Sequence, residues 1–204
     1  MQAGVESVAY INKWQRIQLV RELGLNTEES ILIAPGKAMS KTDIAFIASD
    51  GEYSLRTFDS SDNGVHPHYP VISQERLLEE LPLLRCRGYS CIVAKCINPK
   101  DAEFAACAYK RGRSFTIEIC DGPVTVRAIT HDHNITRTIS TGLLQGTNCG
   151  DRRIDEAIRV MRGTKLDEVI FEFSWYAKQV GWMPANLIFW EATGAEEKGK
   201  INYE

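Results

Sequence analysis

Two carboxylates stand inside otherwise apolar runs: Glu172 in VIFEFSW and Glu191 in LIFWEAT. A charge in such a run is expensive unless it is paired or binds a cation. On neighbouring strands the two side chains could share a hard cation such as Mg²⁺, which prefers oxygen ligands and substrate phosphates. The plainer alternative is a half-exposed sheet with both carboxylates turned outward. Arg56 lies in a third apolar run, SLRTF, and leads into a loop containing Ser60, Ser61 and Gly64. A guanidinium matches phosphate geometry with two parallel hydrogen bonds, so this is a candidate phosphate clamp. Its alternative is an ion pair with a carboxylate on a neighbouring strand, such as Glu118 in TIEIC.

Four histidines form two close pairs, His66/His68 and His131/His133. An H-x-H pair on a strand puts both rings on one face, and imidazole is a common zinc or iron ligand. The first pair flanks Pro67 in a polar loop and the second sits at a turn, so metal chemistry here is the weakest of the readings. There is no G-x-S-x-G elbow, no G-x-x-x-x-G-K-[ST] loop and no G-x-G-x-x-G fingerprint, which argues against hydrolase, P-loop and nicotinamide chemistry. The six cysteines show no C-x-x-C pair. Several lie among apolar residues, as buried free thiols do, which points to a reducing, cytoplasmic compartment.

The elements that must position these residues follow from periodicity. Ile154, Ala157, Ile158 and Met161 recur at helical spacing, with Gly163 placed to end the helix. Glu168–Tyr176 and Leu187–Ala192 read as strands, with Gly181, Pro184 and Asn186 in the connection. Upstream, the pattern predicts a helix over Trp14–Leu23 and a strand over Ser30–Ala34. A Pro-Gly loop flanked by Lys37 and Lys41 follows. Asp43–Ala48 and Glu52–Phe58 read as paired strands, and residues 59–70 as a polar loop. Ser73 is a predicted N-cap for a helix over Gln74–Arg85, followed by a strand over Tyr89–Ile97. Ala102–Tyr109 fits strand or short helix. Ser114–Cys120 and Pro123–Thr130 read as a hairpin about Asp121-Gly122, and residues 131–148 as irregular. Mixed strands with a few helices predict an α+β fold with antiparallel pairs prominent.

The composition is that of an ordinary globular chain: 204 residues, 44% hydrophobic and 25% charged. A net charge of -3 argues against a general nucleic-acid binder. No apolar run is long enough to span a membrane, and the first residues lack a signal-peptide pattern.

The motifs resemble, in order, the ATP-grasp domain of phosphoenolpyruvate synthase and pyruvate phosphate dikinase. LGLNTEESILIAPG is similar to that domain's opening, and EYSLRTFDSSDNG to its "vaVRSS" strand and loop. YSCIVAKCINPKDAEFAACAY is similar to the adenine hinge segment, and SFTIEICDGPVTVRAIT to a following hairpin. DEAIRVMRGTKLDEVIFEFSWYAKQVGWMPANLIFWEAT resembles the closing "DIEwa…lyilQaRp" segment. The resemblance runs from about Leu23 to Thr193, and collinear order carries it rather than any single motif.

This resemblance implies one ATP-grasp-like domain over residues 1–204, with approximate lobes 1–85 and 86–195 and a flexible tail 196–204. It implies ATP and Mg²⁺ as cofactors and a cleft lined by Arg56, Glu118, Glu172 and Glu191. Arg56 would contact phosphate and Glu172 would be the first metal-side carboxylate, these two carrying catalysis. Glu191 would be the second metal-side residue, where the family has glutamine. Lys37 or Lys41 would be the phosphate-binding lysine. Lys95 falls at the hinge glutamine, and Thr193 where the family has its final arginine. No segment resembles the family's phosphocarrier-histidine or pyruvate-binding domains, so the acceptor is expected to be a small molecule or another chain.

Two functions follow from the resemblance. One is Mg-ATP binding with phosphoryl transfer or carboxylate activation. The other, favoured by the departures at Lys95, Glu191 and Thr193, is a catalytically inactive binding or regulatory subunit that docks a protein partner. Trp175, Tyr176, Trp182 and Trp190 are the candidates for that docking surface.

Overall fold

The structure is a computed structural model, and it describes residues 12–58, 66–142, 149–177 and 186–194. The chain divides into two compact units, residues 28–98 and residues 1–27 with 99–204. Each is an antiparallel sheet covered by helices, so the fold is α+β as expected.

In the first unit the strands are β1 (Ser30–Ile33), β2 (Glu52–Phe58), β3 (His68–Ser73) and β4 (Ser90–Lys95). They lie in the order β1-β4-β2-β3. Helices α2 (Lys41–Ala48) and α3 (Gln74–Cys86) supply Ile47, Leu77, Leu81 and Leu84 to a core with Tyr53, Leu55, Cys91 and Val93. Ser73 caps α3 as predicted, its hydroxyl accepting from the Arg76 N–H at 3.4 Å.

Two expectations fail here. Asp43–Ala48 is not a strand but part of α2. A reciprocal capping box starts the helix: the Asp43 N–H donates to Ser40 Oγ at 3.1 Å, and the Ser40 N–H donates to the Asp43 carboxylate at 2.8 Å. That local signal outweighs the strand propensity of the apolar run. β2 therefore pairs with β3 and β4 instead. The polar loop also ends early, because His68–Ser73 forms β3. Pro70 is tolerated there because β3 is an edge strand. Ser60, Ser61 and Gly64 lie outside the described residues.

The second unit begins with α1 (Lys13–Glu22), matching the predicted helix to within a residue. Its sheet contains β5 (Ala102–Arg111), β6 (Ser114–Asp121), β7 (Arg137–Thr141), β8 (Val169–Tyr176) and β9 (Leu187–Gly194). The strand order is β7-β6-β5-β8-β9. The central strand β5 settles the ambiguity at Ala102–Tyr109: its small residues Ala105, Ala106 and Ala108 are buried. Helix α5 (Arg152–Arg162) buries Ile154, Ala157, Ile158 and Met161, the four residues its spacing singled out, and Gly163 is its C-cap. They pack with Phe104, Phe171, Phe173 and Phe189, and with Val20 and Leu25 from the α1 end of the chain.

The hairpin expected about Asp121-Gly122 does not form. The Gly122 N–H turns back to the Glu103 carbonyl at 2.7 Å, and the chain enters a short helix, α4 (Arg127–Thr130). The place beside β6 is taken by β7, from the stretch expected to be irregular. Gly181, Pro184, Trp182 and the tail 196–204 lie outside the described residues.

Candidate functional site

Strands β8 and β9 bring Glu172 and Glu191 together as direct cross-strand partners. Alternation along β8 sends Phe171 and Phe173 into the main core and Glu172 to the opposite face. One row crosses the whole sheet on that face: Thr138, Glu118, Cys107, Glu172 and Glu191 are successive register partners from β7 to β9. Three of its five members are carboxylates. Glu118 lies two strand spacings from Glu172, roughly 10 Å across the sheet.

Like charges opposite one another on adjacent strands destabilise a sheet unless something compensates. Helix α1 supplies cations. Lys13 Nζ lies 3.7 Å from Glu191 Oε1, and Arg16 places a guanidinium nitrogen 3.7 Å from Glu191 Oε2. Glu191 itself is 7% exposed. Glu118 is on the face that carries a smaller apolar cluster of Cys107, Cys120, Ala128, Ile129 and Ile170. Burial pushes its carboxyl above the usual range, with the neighbouring His133 pulling the other way.

Mg²⁺ is bound by one or two carboxylates together with waters and phosphate oxygens. Glu172 and Glu191, in register on adjacent strands, are two carboxylates that could supply that share. Among the described residues no group of three His, Cys, Asp or Glu is placed to hold a metal ion. His66 instead stacks edge-on against Tyr89, with ring centroids 5.6 Å apart, and His68, His131 and His133 are exposed. All six cysteines are free thiols.

The other nominated residues lie in the four-stranded unit. Arg56, on β2, donates to the Glu28 carboxylate at 2.8 Å, an ion pair with a residue just ahead of β1. Glu28 is 2% exposed. Its place before the strand SILI marks it only as polar in sequence, and pairing with Arg56 became visible through the fold. Lys95, on β4, is the register partner of Tyr53 and lies on the face that packs α2 and α3. Arg56, three residues beyond Tyr53 on β2, is on the other face. The structure therefore does not bring Lys95 and Arg56 together. Lys95 Nζ donates to the Tyr53 hydroxyl at 2.8 Å and to Ser49 Oγ, and lies over the Phe46 ring at 5.2 Å. The Tyr53 hydroxyl is in turn 3.0 Å from the carbonyls of Phe46 and Ile47, so the ammonium sits at the C-terminal end of α2, where a helix favours positive charge. Lys37 and Lys41 are exposed, in the loop before α2 and at its first turn, and the Lys37 carbonyl accepts from Arg85. Thr193 is buried on β9, opposite Ile170.

Of the aromatic residues nominated for docking, Tyr176 is 1% exposed and belongs to the interior. Trp175 packs against the main core, and Trp190 Nε1 donates to Ser174 Oγ at 2.9 Å. Trp175 and Trp190 are half-buried, and Trp182 lies outside the described residues.

Asp151 caps α5 and accepts from the Arg153 and Arg137 side chains at 2.8–2.9 Å, while Arg153 also reaches Glu103 and Arg137 also reaches Asp121. The Arg153 hydrogen bonds are the main reason that the Asp151 carboxyl is held well below the usual range. An Asp just ahead of a predicted helix was the available signal.

No family model matches the chain, and no curated protein matches it. Solved structures do. D-alanine–D-alanine ligase from Bacillus anthracis, complexed with ATP, matches with a TM-score of 0.51 at 11% identity, over 90% of this chain and 54% of the ligase. A RiPP-associated ATP-grasp ligase from Chryseobacterium gregarium, in complex with ADP and a leader and core peptide, matches with a TM-score of 0.51 at 12% identity, over 90% and 52%. N5-carboxyaminoimidazole ribonucleotide synthetase in an ADP complex matches with a TM-score of 0.51 at 13% identity, over 89% and 44%. The fold is thus that of ATP-grasp ligases, and the chain spans about half the length of the structures it matches.

Proposed function

We propose that this chain binds Mg-ATP as one ATP-grasp-like domain and uses it for phosphoryl transfer to an acceptor, with carboxylate activation as the reaction class. The observation that carries the reading is the register pairing of Glu172 with Glu191 on one sheet face. The likeness to ligase structures holding ATP or ADP supports it at the level of fold. Glu172 and Glu191 are assigned to the metal side, with Glu118 further along the same row as a nucleotide contact. Arg56, Lys37, Lys41 and Lys95 are assigned to the nucleotide, with Arg56 and Glu172 carrying catalysis.

Bound Mg²⁺ would neutralise charge on the phosphates, the main requirement of phosphoryl transfer. The chain's own part is to present two carboxylates on adjacent strands and an arginine whose orientation Glu28 sets. The collinear likeness to phosphoenolpyruvate synthase and pyruvate phosphate dikinase is the finer assignment within ATP-grasp folds. Six free thiols support a reducing, cytoplasmic setting. No helix among the described residues is long and apolar enough to cross a membrane.

A second reading is an inactive binding or regulatory subunit. What favours it is that Arg56 and Glu191 are both engaged in ion pairs within the protein. Equilibrium dialysis with labelled ATP and Mg²⁺, followed by measurement of ADP release, tests both. Saturable binding of one nucleotide per chain is the expected result, and absence of binding at millimolar nucleotide contradicts the proposal. Binding without ADP release under any acceptor condition favours the second reading.

A further inference from the structure

We infer that Lys13 and Arg16 of α1 are built-in counter-ions that occupy Glu191 until a divalent cation displaces them. The inference rests on the assignment of Glu172 and Glu191 to the metal side. Each oxygen of the Glu191 carboxylate faces one of these cations, and both separations are 3.7 Å. That is ion-pair distance but beyond a normal hydrogen bond. Glu191 is nearly buried, where a carboxylate without a cation is strongly destabilising. The cross-strand position of Glu172 adds a second negative charge. The site therefore needs positive charge at all times, and α1 supplies it when no metal is bound.

A divalent ion held at about 2.1 Å attracts a carboxylate oxygen roughly twice as strongly as the two side chains together do from their present distance. It is also repelled by them, so its binding and their presence at Glu191 oppose one another. The two side chains differ in freedom. Lys13 begins α1 and its side chain is 33% exposed, whereas that of Arg16 is 17% exposed. Lys13 can swing into water on its flexible stem, while Arg16 is the more enclosed of the two. α1 thus reports on, and opposes, occupancy of the carboxylate pair.

Mn²⁺ alone, titrated without nucleotide and followed by electron paramagnetic resonance, tests this. Lys13→Met with Arg16→Met keeps much of the side-chain volume and removes both charges. The expected result is Mn²⁺ binding tighter by roughly tenfold than in the wild type, together with a larger rise in melting temperature on adding Mn²⁺. Wild-type binding that is unchanged or weakened in the double variant overturns the inference and leaves the metal assignment standing. Absence of Mn²⁺ binding in wild type and variant alike removes the metal assignment and the inference together. If the double variant does not fold, Lys13→Met alone gives the same comparison with a smaller expected gain.

Discussion

Glu172 and Glu191 face each other across β8 and β9, and Trp190 is the extra residue that makes them do so. From Leu187 to Phe189 the register with Trp175 to Phe173 is regular, and continuing it would set Trp190 opposite Glu172. The shift between Glu172 and Phe173 moves Glu191 into that place. A one-residue slip of this kind changes which side chain meets which on a sheet face. Without the shift, Trp190 would stand opposite Glu172 and Glu191 one place further along the ladder.

Arg56 and Glu28 form a largely buried ion pair. Glu28 is 2% exposed and accepts from Arg56 at 2.8 Å. Arg56→Met should destabilise the fold by about 3–5 kcal/mol, because it takes this cation from a buried carboxylate. Adding Glu28→Met should recover part of the loss. Urea unfolding of the two single variants and the double variant measures the coupling; additive effects would show that the pair does not act as a unit.

How much of this was legible in the sequence depended on where the deciding interaction lies. Helix α5 was readable because Ile154, Ala157, Ile158 and Met161 are all buried by one helix face. The strands β8 and β9 were readable from composition, and Glu172 and Glu191 stood out as charges within them. Their register was not readable, since it depends on the bulge at Trp190. α2 was misread because an apolar run has high strand propensity, while its helix is set by the reciprocal bonds of Ser40 and Asp43. Asp121-Gly122 looked like a hairpin, but β6 found its neighbour in β7 after an excursion through α4. The partners of Arg56 and Glu191 come from distant parts of the chain, Glu28 and α1, and no local pattern announces them.

Asp151 should dominate the acid limb of stability. Its carboxyl is held below the usual aspartate range, chiefly by hydrogen bonding to Arg153, with Arg137 adding to it against the opposing effect of burial. A depressed folded-state pKa gives stability that is fully present above the unfolded value, about 3.9, and is lost as pH falls toward the folded value. Asp151→Ala also removes the N-cap of α5, an effect of about 0.5–2 kcal/mol. Chemical unfolding of wild type and variant at neutral pH and near pH 3, the latter chosen as roughly below the ordinary aspartate range, should show the gap narrowing in acid. A gap independent of pH would contradict the assignment to charge.

Glu118 should behave in the opposite way. Burial raises its carboxyl above the usual range, His133 opposing. The folded state then binds its proton more tightly, so stability from this group falls as pH rises from the unfolded value, about 4.3, through the folded one. Glu118→Gln should abolish that fall and leave the fold at least as stable at neutral pH. If the same variant also weakens nucleotide binding, Glu118 serves the ligand; unchanged binding assigns it to the sheet alone.

Thermal unfolding with and without Mg-ATP, in wild type and Glu172→Gln, tests the central claim most directly. A ligand that binds only the folded chain at a hundredfold excess over its Kd stabilises it by about 2.7 kcal/mol. For a chain of this size that is a rise of roughly 5–10 °C. The account predicts such a rise in the wild type, dependent on Mg²⁺ and absent in Glu172→Gln. No Mg²⁺-dependent rise in the wild type, or an equal rise in the variant, would contradict it.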